Sequence, residues 1–276
     1  MGLGISLLIS CYNRTGIFQR SYPTWFEGKT WPDEVCVLND GGDRGLEAVV
    51  EEMANRYLAL PVSYIYRHKE SNEWSNPAVA HNYLVKTAEF PIVLIIDPEI
   101  AFVTDGLPVI KKFYSDEANR SSSCSACRTY GIQDPDRCLG WSVEQIINNP
   151  STTTDVTNRD SKDVIFYPCT PASGYRAWWR QRYIDLGGKD ERYLGWGYED
   201  LDLHFRQTRL PPIGRDACLD EIAIVRFAHG ISDMSKASIS FEVWKNEGEK
   251  GIPVDGVANR DREWGMPEIE EEYQWA

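Results

Sequence analysis

Four apolar runs, separated by segments with helical spacing, constrain the fold of this chain more than any other feature of the sequence. The apolar runs are residues 4–11, 34–40, 62–68 and 92–97. Continuous apolar runs of this length are typical of strands that are buried on both faces of a sheet. The helical segments between them are residues 14–28, 45–59 and 76–89. This alternation predicts an α/β fold with a mostly parallel central sheet flanked by helices.

Polar side chains follow three of these predicted strands. They are Asn13 and Arg14, Asn39 and Asp40, and Asp97 and Glu99. In open parallel sheets, ligands bind beyond the carboxyl ends of the strands. The sequence therefore predicts a ligand site at that edge of the sheet.

The second half of the chain is less regular. Residues 115–163 are rich in Ser, Thr, Asn and Asp, which predicts an insertion or loop with one short helix near 141–148. Farther along, the pattern predicts helices over 175–186 and 199–209 and a late strand over 221–229.

Composition excludes several classes of partner. The formal net charge is −13, and a nucleic-acid binder needs a basic surface. The seven cysteines are irregularly spaced, and Cys124 and Cys127 have no second ligand pair for zinc. We therefore expect a reduced, cytoplasmic protein. The N-terminal apolar run is too short to span a bilayer and predicts a first strand, so we expect no transmembrane segment.

Asp97 and Glu99 carry the first chemical signal. They follow a buried strand at spacing i, i+2, and in strand geometry they would face the same side. Hard divalent cations prefer oxygen ligands and keep positions open for phosphate oxygens. A solvated turn is the plain alternative for such a tripeptide on its own.

The segment GWGYEDLDLHFR, residues 195–206, carries the second signal. Glu199 and Asp200 begin a predicted helix, where the helix dipole alone favours acidic side chains. The dipole does not account for the preceding Gly-Trp-Gly-Tyr, which indicates a shaped loop that a ligand can approach closely. His229, at the end of the late strand, is either structural or a third metal ligand.

Taken together, these segments resemble glycosyltransferases of the GT-A fold, close to family two and to galactosyltransferase-like catalytic domains. LNDGGD resembles V-D-D-G-S-x-D with Asn39 for the first Asp, and IIDPEIAF resembles the D-x-D strand with Glu99 for the second. NPAVAHNYLVKTA is similar to G-x-A-x-A-R-N-x-G, with His81 in place of Arg. DLGGKDERYLGWGYEDLDLHFR resembles the G-G-F-D-E and G-W-G-x-E-D-x-D-L block most closely, and the likeness covers residues 4–103 and 164–230.

The resemblance implies a role for each matching residue. The nucleotide-sugar-binding residues would be Asn13, Arg14, Asp40, His81, Asp97, Trp196 and Gly197. The metal ligands for Mn²⁺ or Mg²⁺ would be Asp97, Glu99 and His229. Asp200 would be the general base, and Glu199 would bind a sugar. Trp196 would stack on a sugar ring.

The implied enzyme is an inverting, hexosyltransferase-like glycosyltransferase that uses a nucleotide sugar, with UDP as first choice, and a glycan or glycoconjugate acceptor. Its expected organisation is a single catalytic domain over 1–276. The parts are a nucleotide-binding half (1–103), a variable insertion (115–163), an acceptor and catalytic half (164–240) and a C-terminal tail (241–276). Two alternatives stay open: a nucleotidyltransferase acting on sugar phosphates, and a catalytically inactive carbohydrate-binding protein.

Overall fold

One sheet of ten strands runs through the described part of the computed structural model, in the order β10-β3-β2-β1-β4-β8-β6-β9-β5 with β7 beside β6. The structure describes residues 3–69, 76–132, 145, 164–168, 174–194, 197–227, 257–259 and 263–275. The strands are β1 (Ile5–Cys11), β2 (Glu34–Asn39), β3 (Val62–Arg67), β4 (Ile92–Ile96), β5 (Ile100–Phe102), β6 (Ser123–Ile132), β7 (Val164–Pro168), β8 (Tyr175–Trp179), β9 (Asp216–Phe227) and β10 (Ile269–Trp275).

Six α-helices accompany the sheet among the described residues. They are α1 (Thr15–Ser21), α2 (Gly45–Arg56), α3 (Pro77–Thr87), α4 (Leu107–Ser115), α5 (Arg180–Asp185) and α6 (Glu199–Arg209). Short 3₁₀ helices cover Tyr22–Phe26 and Glu117–Ser121. The first of these continues α1, and Pro23 lies at its start because proline has no backbone N–H to extend an α-helical ladder.

The parallel part of the sheet confirms the predicted α/β pattern. Strand β1 pairs in parallel with β2 and β4, and β2 pairs in parallel with β3. Alternate side chains of β1 face opposite helix layers: Leu7 packs in the core cluster that contains Val50 of α2, and Leu8 packs in the one that contains Leu84 of α3. Helices on both faces therefore explain why these strands are apolar throughout.

Beyond β4 the sheet is mixed, and one predicted helix is wrong. Residues 175–186 were expected to be helical, but Tyr175–Trp179 is strand β8, antiparallel to β4, and only Arg180–Asp185 is helix. Tyr175 and Trp178 are each 1% exposed on opposite faces of the sheet. Large aromatic side chains pack well on both faces of a buried strand, and this tertiary burial overrides the local helical spacing.

Two segments expected outside the core belong to the sheet. Ser123–Ile132, inside the predicted insertion, forms β6 between β8 and β9, so any insertion begins after residue 132. Ile269–Trp275, inside the predicted tail, forms β10 on the edge of β3. The short helix predicted near 141–148 lies, apart from residue 145, outside the described residues.

Four of the described cysteines, Cys11, Cys36, Cys124 and Cys127, have free thiols. Cys218 is in a disulfide bond. Within the described ranges, no helix has the length and apolar character needed to cross a membrane.

Candidate active site

Asp97 and Glu99 lie in a tight turn between β4 and β5, in which Ile100 N donates to Asp97 O at 3.1 Å. Both carboxylates contact Arg226 of β9, whose Nη2 is 3.4 Å from Asp97 Oδ2 and 3.1 Å from Glu99 Oε1. The turn, rather than the extended geometry expected from the sequence, directs both groups to one guanidinium. Desolvation and then the negative charge of Glu99 raise the pKa of Asp97 to about 6.

Gly174, which precedes β8, allows the backbone to pass beside Asp97. Asp97 N donates to Gly174 O at 2.8 Å, and Gly174 has a left-handed φ of +66°. A Cβ at this position would overlap the Asp97 carboxylate. Glycine is required here both for the backbone conformation and for the space that the carboxylate occupies.

The loop before α6 has unusual backbone geometry. Gly197 has φ +96° and Tyr198 has φ +71°, and a left-handed conformation is uncommon for a residue other than glycine. Tyr198 O accepts from Asp202 N at 2.8 Å, which closes the first turn of the helix. The helix begins at Glu199, as the sequence predicts.

Glu199 and Asp200 point in different directions from the start of α6. The Glu199 side chain is 9% exposed and that of Asp200 is 36% exposed. Burial, and then the adjacent charge of Asp200, raise the pKa of Glu199 to about 7. Burial would also raise the pKa of Asp200, but the charge and hydrogen bond of Lys189, together with the charge of Arg176, outweigh it and lower that pKa below its ordinary value. At neutral pH the exposed carboxylate is therefore ionised, and the buried one is close to half protonated.

Lys189 connects this carboxylate pair to α3. Its Nζ lies 2.7 Å from Asp200 Oδ1, 3.9 Å from Glu199 Oε1 and 2.9 Å from His81 Nδ1. His81, expected to bind the nucleotide sugar, is a buried ring that faces Lys189.

Buried polar side chains hold the backbone around Lys189. Asn82 accepts from Lys189 N at 2.8 Å and donates to Lys189 O at 2.9 Å. Arg206, 1% exposed, donates to Gly188 O at 2.7 Å and to Asp202 Oδ2 at 2.7 and 2.9 Å. A Cβ on Gly188 (φ +68°) would collide with Asn82. The turn therefore depends on α3 and α6 together.

A second polar group follows β1 and β2. Asp40, 1% exposed, pairs with Arg67 Nη1 at 2.6 Å and accepts from Asn76 N at 3.3 Å. Burial raises the pKa of Asp40, against the lowering effect of Arg67. Asn13 has a left-handed φ of +53°, and its side chain accepts from Asp43 N at 2.9 Å.

The two carboxylate pairs belong to one electrostatic site. Asp200 contributes to the raised pKa of Asp97, and Asp97 contributes to the raised pKa of Glu199. Buried charges are screened by salt much less than exposed ones, so they can influence one another across a site. The fold thus couples Asp97 electrostatically to Glu199 and Asp200, which are about 100 residues away in the sequence.

Other predicted site residues are less informative. Arg14 begins α1 as its N-cap residue, and Gly197 lies in the loop before α6. Trp196 and His229 lie outside the described residues. In the part of the chain that the structure describes, no group of three or more His, Cys, Asp or Glu side chains could hold a metal ion.

Sequence reasoning missed three cations of the site: Arg67, Lys189 and Arg226. Each is buried or partly buried against carboxylates. The only signal for Lys189 was its place in GGKDE, where the resembling block has Phe. Arg67 and Arg226 lie at the ends of apolar strands, near where the polar residues of the predicted site lie. This position is the signal by which the sequence could have identified them.

Only the comparison with solved structures finds similar proteins. No family model matches the chain, and the search of curated proteins finds no match in sequence. The solved structures that are similar in fold include the following three. Mannosyltransferase PcManGT from Pyrobaculum calidifontis, in complex with GDP-Man and Mn²⁺, has a TM-score of 0.56 at 14% identity over 85% of this chain and 60% of its own.

The other two structures are GalNAc-T7 with UDP, GalNAc and Mn²⁺, and S. aureus TarS with UDP-GlcNAc. GalNAc-T7 has a TM-score of 0.61 at 13% identity over 90% of this chain and 49% of its own. TarS has a TM-score of 0.55 at 15% identity over 88% of this chain and 65% of its own. This chain spans less than two thirds of each of these three structures. The likeness confirms the GT-A fold expected from the sequence.

Proposed function

We propose that this protein is an inverting, metal-dependent glycosyltransferase that moves a sugar from a nucleotide sugar to a hydroxyl of a glycan or glycoconjugate. The observation that carries the proposal is the electrostatic coupling between Asp97, which follows β4, and the Glu199–Asp200 pair at the start of α6. In a GT-A fold, this arrangement puts a carboxylate suited to a metal beside a carboxylate suited to proton transfer.

Asp97 and Glu99 suit a divalent cation as two of its ligands. One oxygen of each carboxylate contacts the same nitrogen of Arg226. A divalent cation at the position of that nitrogen would therefore have two carboxylate oxygens beside it, and these are the ligands that Mn²⁺ and Mg²⁺ prefer. His229 is our proposed third ligand. When bound, the cation would neutralise the negative charge that develops on a departing nucleoside diphosphate.

The protein's own groups would do the rest of the chemistry. Asp200 would accept the proton of the acceptor hydroxyl, which must come within about 3 Å of it. Attack from the face opposite the leaving group inverts the anomeric carbon, by the logic of inverting hydrolases. Glu199 has a pKa of about 7, so it can donate a hydrogen bond to a sugar hydroxyl when protonated and accept one from it when ionised. The Asp40–Arg67 pair and Asn13 would line the nucleotide base, with Arg14 toward the phosphates and Trp196 stacked on a sugar.

Metal removal tests the proposal directly. We expect the protein to hydrolyse a nucleotide sugar slowly in the presence of Mn²⁺ or Mg²⁺, to lose this activity in excess chelator, and to regain it when metal is restored. Release of the nucleoside diphosphate should be measured. Asp97→Asn should need more metal for the same rate, whereas Asp185→Asn, which changes an exposed carboxylate of α5, should behave as wild type.

Three results would contradict this account of the site. Full activity in excess chelator would remove the metal assignment. Release of pyrophosphate instead of nucleoside diphosphate would favour a nucleotidyltransferase. Binding of sugars without turnover of any nucleotide sugar would favour an inactive carbohydrate-binding protein.

The donor nucleotide is our second prediction here. We expect UDP to stabilise the protein more than GDP when Mn²⁺ is present, because the resembling family favours UDP sugars with an aspartate at the position of Asp40, which would contact the nucleotide base or ribose. A ligand at 100 times its Kd stabilises the folded state by about 2.7 kcal/mol, which a thermal-unfolding experiment detects. A shift with GDP and none with UDP would reverse the ranking.

A further inference from the structure

Lys189 has a charged side chain that is only 4% exposed, and it contacts Asp200, the proposed base. Its ammonium group has three neighbours: Asp200 Oδ1 at 2.7 Å, Glu199 Oε1 at 3.9 Å and His81 Nδ1 at 2.9 Å. An ammonium group has three N–H donors and no acceptor. Lys189 therefore donates hydrogen bonds to Asp200 and to one ring nitrogen of His81, and it is near enough to Glu199 for an ion pair.

His81 must accept the hydrogen bond from Lys189, since the ammonium cannot. Its Nδ1 therefore carries no proton, and the ring is neutral with its proton on Nε2. Burial and then the charge of Lys189 lower the pKa of His81 well below its ordinary value, in agreement with a neutral ring. His81 thus orients the ammonium without adding charge to the cluster.

Asp200 is held at one oxygen only. Its Oδ1 contacts Lys189, while Oδ2 makes no hydrogen bond with the described residues, and the side chain is 36% exposed. The other charged or titratable groups near the cluster are Tyr183 of α5, Arg176 of β8 and Asp97 after β4. Among them, only Lys189 makes direct contact with the Asp200 carboxylate within the described ranges.

We propose that Lys189 is a positioning residue that holds Asp200 ionised with its free oxygen toward the acceptor, and that His81 keeps the ammonium of Lys189 in place. The inference rests on the proposed function, in which Asp200 is the base. An opposite charge within about 4–6 Å lowers a carboxyl pKa by about 1–3 units. Lys189 therefore keeps Asp200 ionised, and able to accept a proton, down to a lower pH than an unpaired aspartate would be ionised.

The test is the pH dependence of kcat for hydrolysis of the UDP-sugar that turns over fastest, with water as the acceptor. All variants carry Glu199→Gln, so that Glu199 does not titrate. We expect Lys189→Met to move the acidic limb of the profile up by about 1–3 pH units. The part of the kcat deficit that comes from this shift should be largest on the acidic limb, below about pH 6, and should disappear by about pH 9, with little change in the KM of the donor. Lys189→Arg, which keeps the charge, should hold the limb closer to the parent position.

The role of His81 is tested by a matched pair of variants. His81→Asn keeps an acceptor near the place of Nδ1, whereas His81→Phe keeps a ring and removes the acceptor. We expect the acidic limb to move up in His81→Phe and not in His81→Asn. This pair also carries the test if Lys189→Met does not fold. A profile for Lys189→Met or His81→Phe that is lower than the parent profile but parallel to it would overturn the proposal, because it would show a structural role only.

A second measurement separates this inference from the proposed function. The pKa of Asp200 is lowered in folded wild type, so its pairing stabilises the protein above the unfolded pKa, about 3.9, and this stability is lost only as the pH falls through the lower folded value. In Lys189→Met we expect the partly buried Asp200 to have a folded pKa above the unfolded value, which destabilises the variant at about pH 7 more than at about pH 4. The Tm of wild type minus that of Lys189→Met should therefore be larger at pH 7 than at pH 4. An equal difference at both pH values would refute the coupling. If no nucleotide sugar is turned over, the proposed function fails. The coupling between Lys189 and Asp200 is still decided by the Tm measurement, which needs no substrate.

Discussion

Asp200→Asn is expected to lower kcat by about 10²–10⁴-fold, the usual contribution of a general base. The substitution keeps the size of the side chain and removes its basicity. Binding of the nucleotide and of the metal should survive, because neither uses Asp200 in our proposal. The measurement is kcat, alongside the thermal shift that UDP and Mn²⁺ produce in wild type and variant.

Glu199→Gln is the matched control for this prediction, since it changes the adjacent carboxylate by the same chemistry. Glu199 is mostly buried and has a pKa of about 7, so its loss should raise KM for a sugar as well as lower the rate. Asp185→Asn serves as the exposed control. Near-normal turnover by Asp200→Asn would reject it as the base, and a product with retained anomeric configuration would reject single displacement.

Arg206→Met is expected to destabilise the protein by about 3–5 kcal/mol, the usual cost of removing one partner from a buried ion pair. Arg206 is 1% exposed, and the change would remove the donor of the Asp202 carboxylate and of the Gly188 carbonyl, and one of the donors of the Leu186 carbonyl. Denaturant unfolding measures the loss. The carbonyl of Gly188 directly precedes Lys189, so kcat should fall as well.

The control for Arg206→Met is Arg209→Met, one turn farther along α6. Arg209 is exposed and stacks over Phe205, so its loss should change the unfolding free energy by no more than about 0.5 kcal/mol. Equal stability losses in the two variants would contradict the anchoring role of Arg206. A stability loss with unchanged kcat would show that the turn keeps its geometry without this anchor.

The first half of the fold could be predicted from the sequence because its signals are local. Each of the strands β1 to β4 is rich in apolar residues, and the helices between them have clear spacing, so the pattern and its parallel order follow from burial on both faces. Glu199 and Asp200 could be placed at a helix start for the same reason. The positions of Asp97 and Glu99 after β4 also follow from the chain itself.

Strand β8 shows why the second half could not be predicted in the same way. Tyr175–Trp179 has residues that suit a helix or a strand, and this segment becomes a strand because it pairs with the edge of β4. The edge strand β10 likewise depends on β3, which lies about 200 residues earlier in the chain. Such pairings depend on surfaces that exist only after the rest of the sheet has formed.

By itself, then, the sequence determined which carboxylates follow a strand and which begin a helix, because apolar periodicity and chain order are properties of the chain itself. The tertiary structure alone decided which cations meet them. Arg226 reaches Asp97 and Glu99 from β9, Lys189 reaches Asp200 from the turn after α5, and Arg67 reaches Asp40 from β3. The physical reason is that a pKa depends on burial and on charges within a few ångströms, and both are set by packing between elements that are distant in the sequence.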